Sequence, residues 1–229
     1  MCSGLRSIPA AEFRRVRLLK RSGFNAVRTS HNPPSRAFVR ACDVLGMIVM
    51  EEIFDCWDVQ KKPFDYHRYF AEWWQRDTES MVLRDRNSPS VFFWSIGNEI
   101  PDRYTGRGAN LSHQIASYIR YLDAGCDTME VDGSVRKDVD SAGCCRPMGD
   151  GMRPLDASQL PRTCQKHGAS TSRLVTSAFP GPRADVATDT FLAPLDVAGY
   201  NYAPTAFQRD HLRIPQVGGT ARPLKSSAG

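Results

Sequence analysis

The chain contains no run of about eighteen apolar residues, which excludes a membrane-spanning helix. Its opening residues, Met1-Cys2-Ser3-Gly4-Leu5-Arg6, lack the apolar centre of a secretion signal, so a cytoplasmic location is expected. The seven cysteines are odd in number and irregularly spaced, and none forms a C-x-x-C pair. Neither a zinc knuckle nor a redox motif is supported, and reduced thiols with no metal or cofactor are the expectation. Acidic residues are scarce at one end: residues 1–40 hold nine Lys and Arg against the single acid Glu12. Such an arm can serve nucleic acid, but here the basic residues interleave with apolar ones at helical spacing, as on a solvated helix face. No base-reading motif accompanies the charge, so neither nucleic acid nor a membrane is an expected partner. Glutamate is missing after Glu130, an absence that matters below.

What is present is an ordinary globular composition. Of 229 residues, 41% are hydrophobic and 24% charged, enough for one domain with a substantial core and short for two. Strand and helix patterns alternate along it. Ala10–Arg21 carries an apolar stripe of Phe13, Val16, Leu18 and Leu19, and Phe24–Arg28 reads as a strand. Ser35–Leu45 reads as a helix with Ser35 at its N-cap and Gly46 at its C-cap. Met47–Glu52 is the next strand, Phe70–Arg84 a helix, Val91–Gly97 a strand and Leu111–Leu122 a helix. Arg173–Ser177 and Leu195–Tyr200 are two later strands. Alternation at these lengths argues an α/β fold with a parallel sheet and right-handed crossovers. Between about 124 and 172, Gly, Ser, Asp, Pro and cysteine scatter without period, which reads as a surface excursion or disordered insert. The tail at about 220–229 is equally patternless.

Val91-Phe92-Phe93-Trp94-Ser95-Ile96-Gly97-Asn98-Glu99 is the most informative stretch. An apolar run bounded by turn signals reads as a strand buried on both faces. In an α/β barrel such a strand delivers its last side chains to the rim where active sites are built. Asn98 and Glu99 there have the chemistry of a sugar-cleaving site, an amide to hold a hydroxyl and a carboxyl to protonate a leaving oxygen. The plainer alternative is that Glu99 merely caps the following helix. Two other strands end in polar residues at the same rim: one supplies Arg28 and His31 before Pro33-Pro34, the other Glu51, Glu52 and Asp55. Between Phe54 and Trp74 lie eight aromatics, suited either to stacking on sugar faces or to core anchoring. Trp57 is the better cleft candidate, while Trp73 and Trp74 are expected to pack a helix.

Four segments together, Arg28-Thr29-Ser30-His31-Asn32-Pro33, Met50-Glu51-Glu52-Ile53-Phe54-Asp55, Arg84-Asp85-Arg86-Asn87-Ser88-Pro89-Ser90-Val91 and Trp94–Glu99, resemble glycoside hydrolase family 2. That family holds β-galactosidases, β-glucuronidases and β-mannosidases. The resemblance covers roughly residues 8–123 and resumes over 173–202. It implies a partial TIM (β/α)8 barrel, roughly strands two to six with at most a remnant of the seventh, making residues 1–229 one incomplete domain. It implies a retaining β-galactosidase-like enzyme acting on a β-glycoside. Glu99 would be the acid/base, Asn98 would hold the sugar 2-hydroxyl, and Arg28 and His31 would support the nucleophile and contact the sugar. Asp55 would be a polar neighbour of the site, and Tyr202 (or Tyr200) in Gly199-Tyr200-Asn201-Tyr202 would bond to the nucleophile.

The departures bear equally on function. Retention needs a second carboxylate about 5–5.5 Å from the first, and the segment Val217–Ala221 places Ala221 where the resemblance calls for Glu. A first and an eighth barrel strand and the preceding β-sandwich domains have no counterpart here. The chain therefore resembles a fragment, expected to be weakly stable and weakly active or inactive. The alternative function is a carbohydrate-binding remnant without turnover.

Overall fold

The computed structural model describes residues 8–124, 128–131, 134–137, 173–179 and 186–202. Its elements in chain order are α1 (Pro9–Arg21), β1 (Ala26–Thr29), α2 (Arg36–Leu45), β2 (Ile48–Glu52), α3 (His67–Asp85), β3 (Val91–Asn98), α4 (Gly106–Ala124), β4 (Thr128–Val131), β5 (Ser134–Lys137), β6 (Leu174–Phe179), α5 (Val186–Leu192) and β7 (Val197–Tyr200). Five strands form one sheet in the order β1-β2-β3-β6-β7, every neighbour parallel. The parallel sheet is the one that the alternation of strands and helices predicts, and it fits the partial barrel that the family resemblance implies.

The local chemistry explains the ends of the elements. Pro9 opens α1, where its missing N–H would have no partner in any case. Ser35 caps α2 by accepting from the Phe38 amide at 3.1 Å, and Gly46 closes it in the left-handed region at φ 68°. Of the stripe read on α1, Val16 is buried, whereas Leu18 is exposed among the arginines, which do form a solvated face. The helix read as Leu111–Leu122 begins earlier, at Gly106, because a 3-10 turn over Pro101–Tyr104 feeds it: Thr105 Oγ1 accepts from the Gly108 amide at 2.9 Å. Inside the stretch read as patternless, β4 and β5 pair antiparallel, with Val131 opposite Ser134. The rest of that stretch, and the tail with Ala221, lie outside the described residues.

The core lies between the sheet and the helices. Trp57, Trp94, Phe70, Ile96, Ile115 and Ile119 are fully buried there. Alternation along β2 sends its two glutamates to opposite faces. Glu51, aligned with Trp94 of β3, meets Arg84 of α3 at 3.0 Å. Glu52, aligned with Ser95, faces the other way and accepts from the Ser95 hydroxyl at 2.8 Å. Burial, and then the charge of Asp85, push the Glu51 carboxyl up to about 9 against the lowering effect of Arg84.

Candidate active site

The C-terminal ends of β1, β2, β3 and β7 converge on one polar cluster. Its centre is Arg28, the third residue of β1. Its guanidinium grips both oxygens of buried Glu52, at 3.1 and 3.0 Å, in the planar two-pronged geometry that arginine and carboxylate share. The same guanidinium donates to Asn98 Oδ1 at 2.7 Å and Asn201 Oδ1 at 3.3 Å. His31 Nδ1 meets Glu52 Oε1 at 2.8 Å. Arg28, His31 and Ser95 thus together satisfy a carboxyl with no exposed surface, which would otherwise be costly to bury.

The Asn98-Glu99 pair sits where β3 leaves the sheet. Glu99 has φ 46°, a turn conformation rare for a residue with a side chain, so the chain swings its carboxyl out of strand alternation. Its amide donates to the Ala178 carbonyl of β6. Asn201 Nδ2 bridges the pair, donating to Asn98 Oδ1 at 3.1 Å and to Glu99 Oε1 at 2.9 Å. Asn98 Nδ2 donates to Asp55 Oδ1 at 3.2 Å. Lys61, from the loop after β2, donates to the same Asp55 oxygen at 3.0 Å and to the Asn98 carbonyl at 2.6 Å. Partial burial alone would raise the Asp55 carboxyl, but the hydrogen bonds from Lys61 and Asn98 and the charges of Lys61 and His31 outweigh it and hold the group below its ordinary value.

Of the residues singled out in the sequence, the structure therefore brings Arg28, His31, Asp55, Asn98 and Glu99 together. Trp57 belongs elsewhere. It is fully buried, stacks on Phe70 at 5.9 Å between centroids, and donates its indole N–H to the Ile96 carbonyl at 3.0 Å. Most of its aromatic neighbours follow it: Phe54, Tyr66 and Phe70 pack on one another, because a loop this rich in rings buries more area in the core than at a rim. Tyr202 is 77% exposed just past β7, while Tyr200 packs on Phe179. Strand alternation points the intervening residue inward, so Asn201 is the member of that segment in the cluster.

Sequence reasoning overlooked Asn201, Lys61 and Ser95, and gave Glu52 no role. The period-2 separation of Glu51 from Glu52 was the available signal for the last of these. For Lys61 nothing in its loop sequence betrayed a contact 37 residues away along the chain. Among the described residues no three His, Cys, Asp or Glu side chains converge as a metal site would require. No described helix is long and apolar enough to cross a membrane.

Residues 12–140 match the description "Glycosyl hydrolases family 2, TIM barrel domain", which is more than half of the chain. Beta-galactosidase BoGH2A of Bacteroides ovatus is 46% identical over 133 residues, covering 58% of this chain and 16% of that protein. A beta-galactosidase of Alteromonas mediterranea is 32% identical over 127 residues, covering 51% of this chain and 12% of that protein. The crystal structure of a glycosyl hydrolase family 2 member from Bacteroides cellulosilyticus superposes with a TM-score of 0.69 at 36% identity, over 93% of this chain and 21% of that one. The chain spans only a small part of the length of these relatives. With its parallel strands and its strand-end polar cluster in that register, this chain belongs to glycosyl hydrolase family 2 and carries part of its TIM barrel domain.

Proposed function

We propose that the rim cluster is a β-galactosidase-like glycoside hydrolase site in which Glu99 is the acid/base for a retaining mechanism. One observation carries the reading: Asn201 ties the Glu99 carboxyl to the Asn98 amide, and Arg28 donates to the same amide oxygen. A proton donor to a glycosidic oxygen and a hydrogen-bonding partner for the neighbouring 2-hydroxyl must be held in fixed relation, because both contacts tighten as the oxocarbenium ion forms. Glu99 protonates the departing oxygen and later activates water, and Asn98 holds the 2-hydroxyl. His31 and Asp55 face the sugar, and Arg28 orders the floor. Tyr202, exposed at the end of β7, is left to contact substrate or a further carboxylate.

Glu52 does not serve as nucleophile. It is sealed beneath Arg28 with both oxygens taken. With alanine at position 221, the chain as it stands binds sugar with little or no turnover, which also supports the second reading, a carbohydrate-binding remnant. Hydrolysis of an aryl β-galactoside by the wild type, by Ala221→Glu and by Ala221→Glu combined with Glu99→Gln separates these readings. A gain of turnover in the first variant that the second abolishes supports a damaged enzyme. Sugar binding without turnover in any of them supports the remnant. Wild-type turnover indifferent to Glu99→Gln overturns the assignment of Glu99.

A further inference from the structure

The charge inventory of the rim adds the class of sugar to the proposed glycosidase reading, on which it rests. Two cations, Arg28 and Lys61, stand among three carboxyls, Glu52, Asp55 and Glu99. Both cations are committed. Arg28 spends its donors on Glu52 and two amide oxygens, and Lys61 spends its ammonium on Asp55 and the Asn98 carbonyl. Their side chains are only 20% and 19% exposed, whereas the Asp55 side chain is 46% exposed. Both described bonds to Asp55 end on Oδ1, and none ends on Oδ2 of this half-exposed side chain. Among the Arg, Lys, Asp and Glu side chains of these ion pairs, the most exposed charge is thus the anion of Asp55.

We propose that Asp55, anchored by Lys61, is a specificity-determining residue that makes the site select neutral β-glycosides over uronides. A neutral sugar offers hydroxyl donors that Oδ2 accepts in a charge-assisted bond. A uronide brings a second carboxylate into a partly desolvated space, where like charges repel more strongly than in bulk water. Among the described rim residues no uncommitted arginine or lysine receives it. Lys61 sets the geometry: by holding Oδ1 it aims Oδ2, and by tying Asp55 to the Asn98 carbonyl it fixes the distance between the hydroxyl acceptor and the Asn98-Glu99 pair.

The test uses the full 229-residue chain and two ligands that differ only at C6, methyl β-D-galactopyranoside and methyl β-D-galactopyranosiduronate, titrated by ligand-observed NMR. The galactoside is expected to bind at least about tenfold tighter, about 1.4 kcal/mol. Asp55→Asn narrows the ratio to about threefold or less, chiefly by strengthening uronide binding, whereas Lys61→Met widens it because the Asp55 charge loses its partner. Should Asp55→Asn fail to fold, the wild type still decides. Raising ionic strength from about 0.01 M to about 1 M shortens the screening length from about 30 Å to about 3 Å, and the ratio must shrink. Equal affinities, or a ratio unmoved by both Asp55→Asn and salt, overturn the selectivity while leaving the glycosidase reading standing. Binding of neither ligand overturns both.

Discussion

Glu51→Gln is expected to stabilise the protein at alkaline pH. The wild-type carboxyl lies on the helix side of β2, fully buried, sharing Arg84 with Asp85. Its other oxygen, Oε2, is buried without a hydrogen-bond partner. Burial and the Asp85 charge raise it from 4.5 to about 9. The folded state therefore keeps a proton that the unfolded chain releases across that window. Stability contributed by this proton is complete below the unfolded value and is lost as pH rises, at up to about 1.36 kcal/mol per pH unit. Between about pH 6 and about pH 8 the wild type should lose roughly 2–3 kcal/mol from this group. Glutamine imitates the protonated acid and removes the dependence. Below about pH 4.5 the two proteins should agree within about 1 kcal/mol, at about pH 6 the variant should be ahead by about 2 kcal/mol, and at about pH 8 by roughly 2–3 kcal/mol more. Urea unfolding followed by tryptophan fluorescence reads this as a midpoint difference that grows by about 1 M between the two pH values. Trp94, aligned with Glu51 in the sheet, is a local reporter. Titrating groups remote from this cluster cancel in the comparison, which leaves Glu51 and the Asp85 that shares Arg84 with it. A difference that does not change with pH would mean that Glu51 is ionised in the fold as a plain ion pair with Arg84, and the reasoning would be wrong.

Three further substitutions have outcomes measurable by urea or thermal unfolding. Arg28→Met leaves buried Glu52 without its guanidinium and should cost about 3–5 kcal/mol, while pairing it with Glu52→Met should recover at least about half; failure of the pair to recover would deny that the ion pair is the cause. Trp57→Ala should cost about 3–5 kcal/mol as a core truncation, whereas a loss below about 1 kcal/mol would return this residue to the cleft. Gly108→Ala places its Cβ 1.9 Å from the Asp102 carbonyl oxygen and should cost more than about 2 kcal/mol, while Gly106→Ala, which meets open space, should be neutral or stabilising by up to about 1 kcal/mol.

The fold was legible where local chemistry and global packing agree. The run Val91–Gly97, the caps Ser35 and Gly46, and the Glu51-Glu52 strand all carry signals that the parallel sheet uses directly. The site was legible in its strand-borne members, because strand ends at one rim of a parallel sheet must meet. Its remaining members were not. Asn201 lay between two tyrosines whose rings drew the functional reading, although alternation favours the residue between them. Lys61 reaches the cluster by a long flexible side chain from an irregular loop, a contact that no periodicity encodes. Trp57 was misplaced because an aromatic near a strand end suits a sugar and a core equally, and only packing against Phe70 and Phe191 decides between them.

The central claim is that Asn98, Glu99 and Asn201 form the floor of a sugar-binding cleft. Titrating methyl β-D-galactopyranoside into the 15N-labelled chain and following backbone and side-chain amides tests it most directly. Saturable shifts are expected, concentrated on the Asn98 and Asn201 carboxamides and the Glu99 amide, and abolished by Asn98→Ala. Shifts scattered over the surface, or none at these three residues at saturating sugar, would contradict it.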